Sequence, residues 1–595
     1  MKPQRSIFHG LAQYFVAHVV YQKKNMPLLH NINRIMKQSR ERRGIPVPAA
    51  QADFSPWPYV DTLFDHTRVI GQGSTLASGI AAGKQVAIIG AGAAGLCAAF
   101  ELLKCGVIPT IYEATDRYGG RAWSRPFTDA GGVFAEMGSM RVPPSQRTFV
   151  AYAKMFNMQT LEGGFPDPGK VPTLLFYENN PYNWVPHEAP PPPFDAIAND
   201  FSDWIGKLGE PLYAPWRNGD LPGVQKVWQQ YIDQYKNLSF YQAVVQALPQ
   251  WSPEYLNAFG ALGVGSGGFG PLYSIGMLEM LRIILLKWED EQQLYLGGMT
   301  AMCDGFYQTV VNVPGLGSVS LQSLDALQFN TPVVGIDYDP SSRRPIVLLG
   351  QTSPAVYDAV IVATTTRSME FMGMTMPGRA TNLPDIMTEP VKVALRNLHM
   401  TSSSKMFIRT KTKFWKTTPN VPQTIQTDEL PRGIYALDYP QTGTDYGVIL
   451  ISYTWEDDSV KLQELDVNQR FALLRSIIAR IDSNWGENLE PMNGEVFNID
   501  WQSEPYYYGA FKLNFPGQEP ALQAAYYQFF DVMNPDADKG IYLAGDGVSY
   551  SGGWTEGALQ TAINCATAVA YRLKGKLPSY NALVGQNPQL YDYGS

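Results

Sequence analysis

The chain has 595 residues, 45% apolar and 17% charged, with a formal net charge of −8, the composition of a globular protein large enough for two domains. That acidic balance argues against a nucleic-acid partner, which rewards clustered Lys and Arg, and no run approaches the roughly 18 consecutive apolar residues of a membrane span. Cys97, Cys105, Cys303 and Cys565 are scattered without metal-ligand spacing, so buried thiols are expected rather than a metal site or a disulfide framework.

Residues 1–50 carry Lys2, Arg5, Lys23, Lys24, Arg34, Lys37, Arg40, Arg42 and Arg43 against a single acid, Glu41. The apolar run Phe15 to Val20 is too short and interrupted for a signal-peptide core. Residues 1–58 therefore read as a basic helical extension followed by a linker from Pro46 to Pro58, and the expected location is cytoplasmic.

Val86 to Ala114 reads VAIIGAGAAGLCAAFELLKCGVIPTIYEA. Val86–Ile89 suits a strand buried on both faces, Ala93–Leu103 a helix, and Pro109–Tyr112 a second strand ending at Glu113. Between the first strand and the helix, Gly90 permits a tight turn, Gly92 lets a pyrophosphate approach backbone amides, and Gly95 lets helix and strand pack closely. Glu113, 18 residues beyond Gly95, is placed to accept hydrogen bonds from a ribose diol. Asp116-Arg117-Tyr118-Gly119-Gly120-Arg121 then offers a second loop to the same pyrophosphate, with a forked cation in Arg121.

With GxGxxG, the ribose acid and DRxGGR in this order, the stretch resembles the flavin-dependent amine oxidase superfamily, closest to bacterial L-amino acid oxidases and tryptophan 2-monooxygenases. The resemblance covers about residues 80 to 575. It implies FAD as cofactor, held by Gly90, Gly92, Ala94, Gly95, Glu113, Ala114, Gly120, Arg121, Gly138, Ser139, Met140, Arg141, Val333, Gly545, Asp546, Gly553, Trp554 and Thr555.

Further along, Arg141 is a cation in an apolar setting, EMGSMRVPP, and needs an anion from the protein or from a ligand. The segment is similar to the GxMRxP element whose Arg binds a substrate carboxylate. Thr173–Phe194 reads as a surface connection rich in Pro and aromatics, and residues 195–310 as mostly helical, with Tyr273–Trp288 a buried helix approached by Gly263–Gly270. Gly297-Gly298-Met299 resembles the point where the superfamily returns to its FAD domain. Pro332–Ile336 and Ala359–Thr364 read as strands ending near the cofactor. Ser402–Ile408, Arg432–Tyr439 and Gly447–Tyr453 read as strands of a second sheet, with Lys405 opposite Met406, and Asp466 caps a helix. Ile541–Ala544 is a strand, Gly545–Gly547 a turn and Gly557–Ala566 a helix; AGD followed by GGWTEGA resembles the superfamily's closing motif.

The expected fold class is α/β: a Rossmann-like, glutathione-reductase-like FAD-binding domain from residues 59–150, 297–370 and 530–575, an α+β substrate domain from inserts 151–296 and 371–529, and a tail at 576–595. Resemblance gives Arg141 the substrate carboxylate, with Tyr435 as second donor and Tyr439 as its rival, Lys405 a role in the reaction with oxygen, and Trp554 a wall of the pocket. Trp554, Tyr435, Phe269 and Tyr453 favour an aromatic or large apolar side chain. The first reading is an FAD-dependent L-amino acid oxidase giving 2-oxo acid, ammonia and hydrogen peroxide, its partners a small L-amino acid, oxygen and further copies of itself in a homo-oligomer. The alternative is a tryptophan-type 2-monooxygenase giving the amide by oxidative decarboxylation. A third, from a different class, is a non-catalytic FAD-binding protein that acts through its basic leader.

Overall fold

Val86–Ile89 is buried along its whole length and sits at the centre of a five-stranded parallel sheet. The structure, a computed structural model, describes residues 59–594 except 63, 72, 129–131, 263–267, 290, 314, 351–352, 378–384, 586–587 and 589. The expected leader and residues 263–267 of the glycine-rich approach lie outside the described residues. Strand order in the central sheet is Ile541–Leu543, Ala359–Val362, Val86–Ile89, Pro109–Tyr112 and Leu327–Gln328. Ile88 pairs with Ile361 on one side and Ile111 on the other. A parallel sheet enclosed on both faces uses continuous apolar runs rather than alternation, as VAII and AVIV do. Helices Ala93–Lys104 and Thr555–Arg572 pack against one another beside it, so the first and last glycine motifs meet. This is the Rossmann-like arrangement of the α/β class.

The second sheet has seven strands in the order Val496–Asp500, Ser403–Thr410, Gly447–Trp455, Gly433–Leu437, Thr424–Thr427, Thr173–Tyr177 and Asn180–Trp184. All pairs are antiparallel except Thr424–Thr427 with Thr173–Tyr177. Period-two alternation sends Met406 and Ile408 to one core, under the helix Val467–Ile481, and Phe407 to another. Lys405, on the same side as Phe407, therefore faces away from the Val467–Ile481 helix. That helix is closed at its start by Asp466, whose carboxylate accepts from the amides of Asn468 and Gln469.

Two sequence expectations change here. Thr173–Phe194 is not a surface connection: Thr173–Tyr177 and Asn180–Trp184 form a hairpin in the large sheet, turned by Glu178 and Asn179 at φ +50° and +61°. Two left-handed residues match the twist of a two-residue hairpin, a signal hidden by the prolines around it. Pro332–Ile336 is not a single strand either; the strand is Gly335–Asp339, in a separate three-stranded sheet, and Pro332, which has no N–H to give a ladder, stays in a loop. The buried helix within Tyr273–Trp288 is Met277–Leu285, every residue of it buried. Among the described residues no helix is long and apolar enough to cross a membrane.

His66 joins the start of the described chain to the closing helix, its Nε2 3.0 Å from Asn564 Oδ1. Burial pushes it down to about 4, below its value of roughly 6.5 in an unfolded chain. Between those values the unfolded chain binds the extra proton. Stability is therefore complete above about pH 6.5 and declines as pH falls, by about 3 kcal/mol at pH 4. His66→Asn should flatten that part of a curve of Tm against pH.

Candidate active site

Gly90 and Gly95 of the first glycine motif, and Gly138 further along, have no room for a side chain. Gly90 has φ +98°, and a Cβ there would lie 2.8 Å from Ala363 O; one on Gly95 would lie 1.9 Å from Gly90 O, and one on Gly138 1.7 Å from Arg121 O. Gly95 thus closes helix onto strand, while Gly92 caps the helix Ala93–Lys104 with extended backbone. Glu113 is buried; its Oε2 accepts from Ala91 N and its Oε1 from Thr115 N, both at 2.9 Å, and from Thr115 Oγ1 at 2.8 Å. Arg121 reaches across to the closing motif, donating to Asp546 Oδ1 at 2.6 Å and to Ala510 O at 2.7 Å. Its fork ties the two ends of the chain together at the same place.

These elements surround one cavity of about 510 Å³. It is lined by Gly90, Gly92, Ala94, Glu113, Ala114, Gly120, Arg121, Gly138, Ser139, Met140, Arg141, Val333, Lys405, Gly545, Asp546, Gly553, Trp554 and Thr555 among others. Two expected site residues are not on its surface. Gly95 lies in the helix Ala93–Lys104, on the face packed against Gly90 and Ile88. Tyr435, expected as a second carboxylate donor, is fully buried; its hydroxyl accepts from Gln426 Nε2 at 3.0 Å and its ring lies 4.8 Å from Phe165. Tyr439, its rival, packs at a tilt against Phe134 and is absent from the lining as well. The tyrosine that the sheet does present to the cavity is Tyr453, on the neighbouring strand.

Arg141 is buried, lines the cavity, and lies over the Phe165 ring at 5.0 Å. Among the described residues its NH1 has no hydrogen-bond partner, and the carboxylate it faces, Glu289 Oε2, is 3.8 Å away. That separation is an ion pair without a hydrogen bond. Lys405 Nζ donates to Glu136 O at 3.0 Å and Gly138 O at 2.6 Å and lies 4.7 Å over the Tyr453 ring. Burial lowers its pKa to about 7; the Glu136 carboxyl pulls the other way and the Arg141 charge adds to the fall. Burial likewise raises Glu136, against donors from Ser124 and Met299.

The apolar part of the cavity is formed by Phe269, Leu272, Met280, Ile283, Ile284, Tyr453, Trp455, Phe511, Leu513 and Trp554. Trp288 backs Trp554 at 6.3 Å. Beyond Phe269, Tyr453 and Trp554, sequence reasoning missed this wall, and it also missed Glu289, Trp501 and Tyr506-Tyr507-Tyr508. The tyrosine triplet had a signal, three aromatic residues before Gly509. Tyr506 and Tyr508 have φ +70° and +54°, a conformation that costs of order 1–3 kcal/mol and gathers at functional sites. Tyr507 accepts from Arg117 NH2 at 3.3 Å.

A family model described as flavin containing amine oxidoreductase matches residues 93–570. The chain belongs to that family. Tryptophan 2-monooxygenase of Pseudomonas savastanoi is 36% identical over 529 residues, 84% of this chain and 91% of that one. The protein of the same name from Pantoea agglomerans pv. gypsophilae is 34% identical over 576 residues, 91% and 98%. Among solved structures, wild-type putrescine oxidase bound to putrescine aligns with a TM-score of 0.61 at 18% identity, covering 82% of this chain and 99% of that one; that likeness concerns the fold. The cofactor of this flavin amine oxidoreductase is FAD, and the residues present fit it. The glycine turn leaves bare backbone at a helix N-terminus for phosphate. Glu113 ends the second strand, where a ribose acid belongs. Buried Ser139 Oγ, without a partner of its own, lines the cavity beside Gly138.

Proposed function

We propose that this flavin amine oxidoreductase is an L-amino acid 2-monooxygenase with an aromatic substrate, L-tryptophan first. The reaction is amino acid plus O2 giving the amide with one carbon fewer, CO2 and water. The observation that carries the reading is Arg141, a buried guanidinium on the cavity surface whose NH1 has no hydrogen-bond partner among the described residues, beside a wall of aromatic and large apolar side chains. A carboxylate completes that guanidinium with paired, charge-assisted hydrogen bonds. The named relatives, both tryptophan 2-monooxygenases, support the amide-forming reading over the oxidase reading.

Bound FAD would supply a two-electron acceptor for the C–H bond beside nitrogen and a two-electron donor for oxygen. The chain does the rest. Arg141 fixes the carboxylate, and the indole or phenyl ring lies among Trp554, Tyr453, Trp455 and Leu513, so the α-carbon is held in one orientation. Lys405 keeps a positive charge, below its pKa, where negative charge develops on oxygen. The apolar wall keeps the imino acid from bulk water; if water won, 2-oxo acid, ammonia and hydrogen peroxide would leave instead.

Turnover of L-tryptophan in air, with products separated and peroxide measured, decides between the two. The amide with a matching amount of CO2, and peroxide only as a minor product, is expected. Stoichiometric peroxide and 2-oxo acid would return the assignment to an oxidase.

A further inference from the structure

Glu289 belongs to none of the sequence motifs, yet the fold goes to some length to hold it against Arg141. It lies in the turn after the helix Met277–Leu285, where Lys287 and Glu291 have φ +64° and +49°. Val142 and Gln293 exchange backbone hydrogen bonds of 3.0 and 2.9 Å, which pins this turn to the segment carrying Arg141. Ser145 Oγ donates to Lys287 O at 3.1 Å, and Gln292 Nε2 donates to Glu289 Oε2 at 2.8 Å. The result is a carboxylate on the cavity surface, 3.8 Å from Arg141 NH1: close enough to balance its charge, too far to occupy its donors.

We propose that Glu289 is a resident counter-ion for Arg141, superseded by the substrate carboxylate, so that binding of an amino acid or other arylalkyl carboxylate is coupled to uptake of a proton by Glu289. The inference rests on the reading of Arg141 as the carboxylate site. Without ligand, one guanidinium faces one carboxylate and the pair is neutral. With a carboxylate on the donors of Arg141, two anions share one cation in a buried place, and like charges so close do not both stay ionised. Glu289 is the one that yields, because burial already raises its pKa and only Arg141 and Gln292 hold it down. Among the described residues the other titratable group facing it is Tyr453, which burial keeps neutral by raising its pKa. Lys405, on the strand next to that of Tyr453, lies near enough to feel the Arg141 charge and titrates at about 7, inside the pH range of the test, so it has to be separated there. The proton comes from solvent; no covalent bond changes.

The sign follows from linkage. A complex that takes up a proton binds more weakly as pH rises, by up to tenfold in Kd per pH unit between the free and bound pKa values of Glu289. Indole-3-propionate, a carboxylate with no amine to oxidise, is the probe for the FAD-loaded enzyme. Calorimetry in two buffers with different ionisation heats gives the protons taken up, and Kd is followed across about pH 6 to 9. The pair is compared as Lys405→Met and Lys405→Met/Glu289→Gln, alongside the wild type. Expected are near one proton and a rising Kd in the first variant, and no uptake and a flat Kd in the second. Absence of uptake in the wild type overturns the proposal whatever the variants do, and so does equal uptake with and without Glu289. If Arg141→Met binds the probe as tightly as wild type, or wild type does not bind it, the carboxylate-site reading fails as well; if Arg141 is needed but no proton is taken up, only the role of Glu289 fails.

Discussion

Arg141→Met is expected to lower kcat/KM for L-tryptophan by about a thousandfold while FAD stays bound. Two charge-assisted hydrogen bonds at roughly 1.5–3 kcal/mol each come to about 4 kcal/mol, a factor of about 10³ in rate. Met fills a similar volume, and the cavity's glycine turn and the Arg121–Asp546 tie, 2.6 Å long, are untouched, so cofactor content is the control. The loss also reflects Glu289, whose carboxyl no longer has a cation at 3.8 Å to hold its pKa down. Arg141→Lys restores a charge without the planar fork and should recover only part, about tenfold to a hundredfold. Steady-state kinetics with L-tryptophan on the three proteins checks both numbers.

Lys405→Met is expected to act on the other substrate, lowering kcat/KM for oxygen by about a hundredfold, the size of effect found when one group facing developing charge is removed. Reduction by the amino acid, measured without oxygen, should change far less. The wild-type constant for oxygen should fall as pH rises through about 7, because Lys405, buried and pushed down to about 7, loses its charge there. In Lys405→Met that pH dependence should vanish. A variant that loses both half-reactions equally would instead give Lys405 a structural task, holding Glu136 O and Gly138 O.

The nucleotide end of this molecule was legible because its chemistry leaves marks that local sequence cannot hide. Gly90, Gly95 and Gly138 stand where a Cβ would meet backbone at 2.8, 1.9 and 1.7 Å, and Val86–Ile89 reads as an enclosed parallel strand because it is one. Arg141 was legible as a charge in apolar surroundings. The substrate end was not, because it is assembled by the second sheet, whose register no local pattern gives. Tyr435 and Tyr453 look alike in sequence; pairing of Tyr435 with Leu450, and a register shift between Met406 and Phe407 on the strand beside it, decide that one packs on Phe165 and the other reaches the cavity. Glu289 has no motif at all. It follows a buried helix by a few residues, and long-range contacts, the pairing of Val142 with Gln293 and the Ser145–Lys287 hydrogen bond, bring it to Arg141.

In the proposed reaction one buried guanidinium, Arg141, selects amino acids over plain amines. Anaerobic mixing of the FAD-loaded enzyme with L-tryptophan or with tryptamine, the same molecule without its carboxylate, tests it directly through the visible flavin absorbance. Rapid bleaching by L-tryptophan, and bleaching by tryptamine slower by about a thousandfold, is the predicted result. Equal rates with the two would contradict the account.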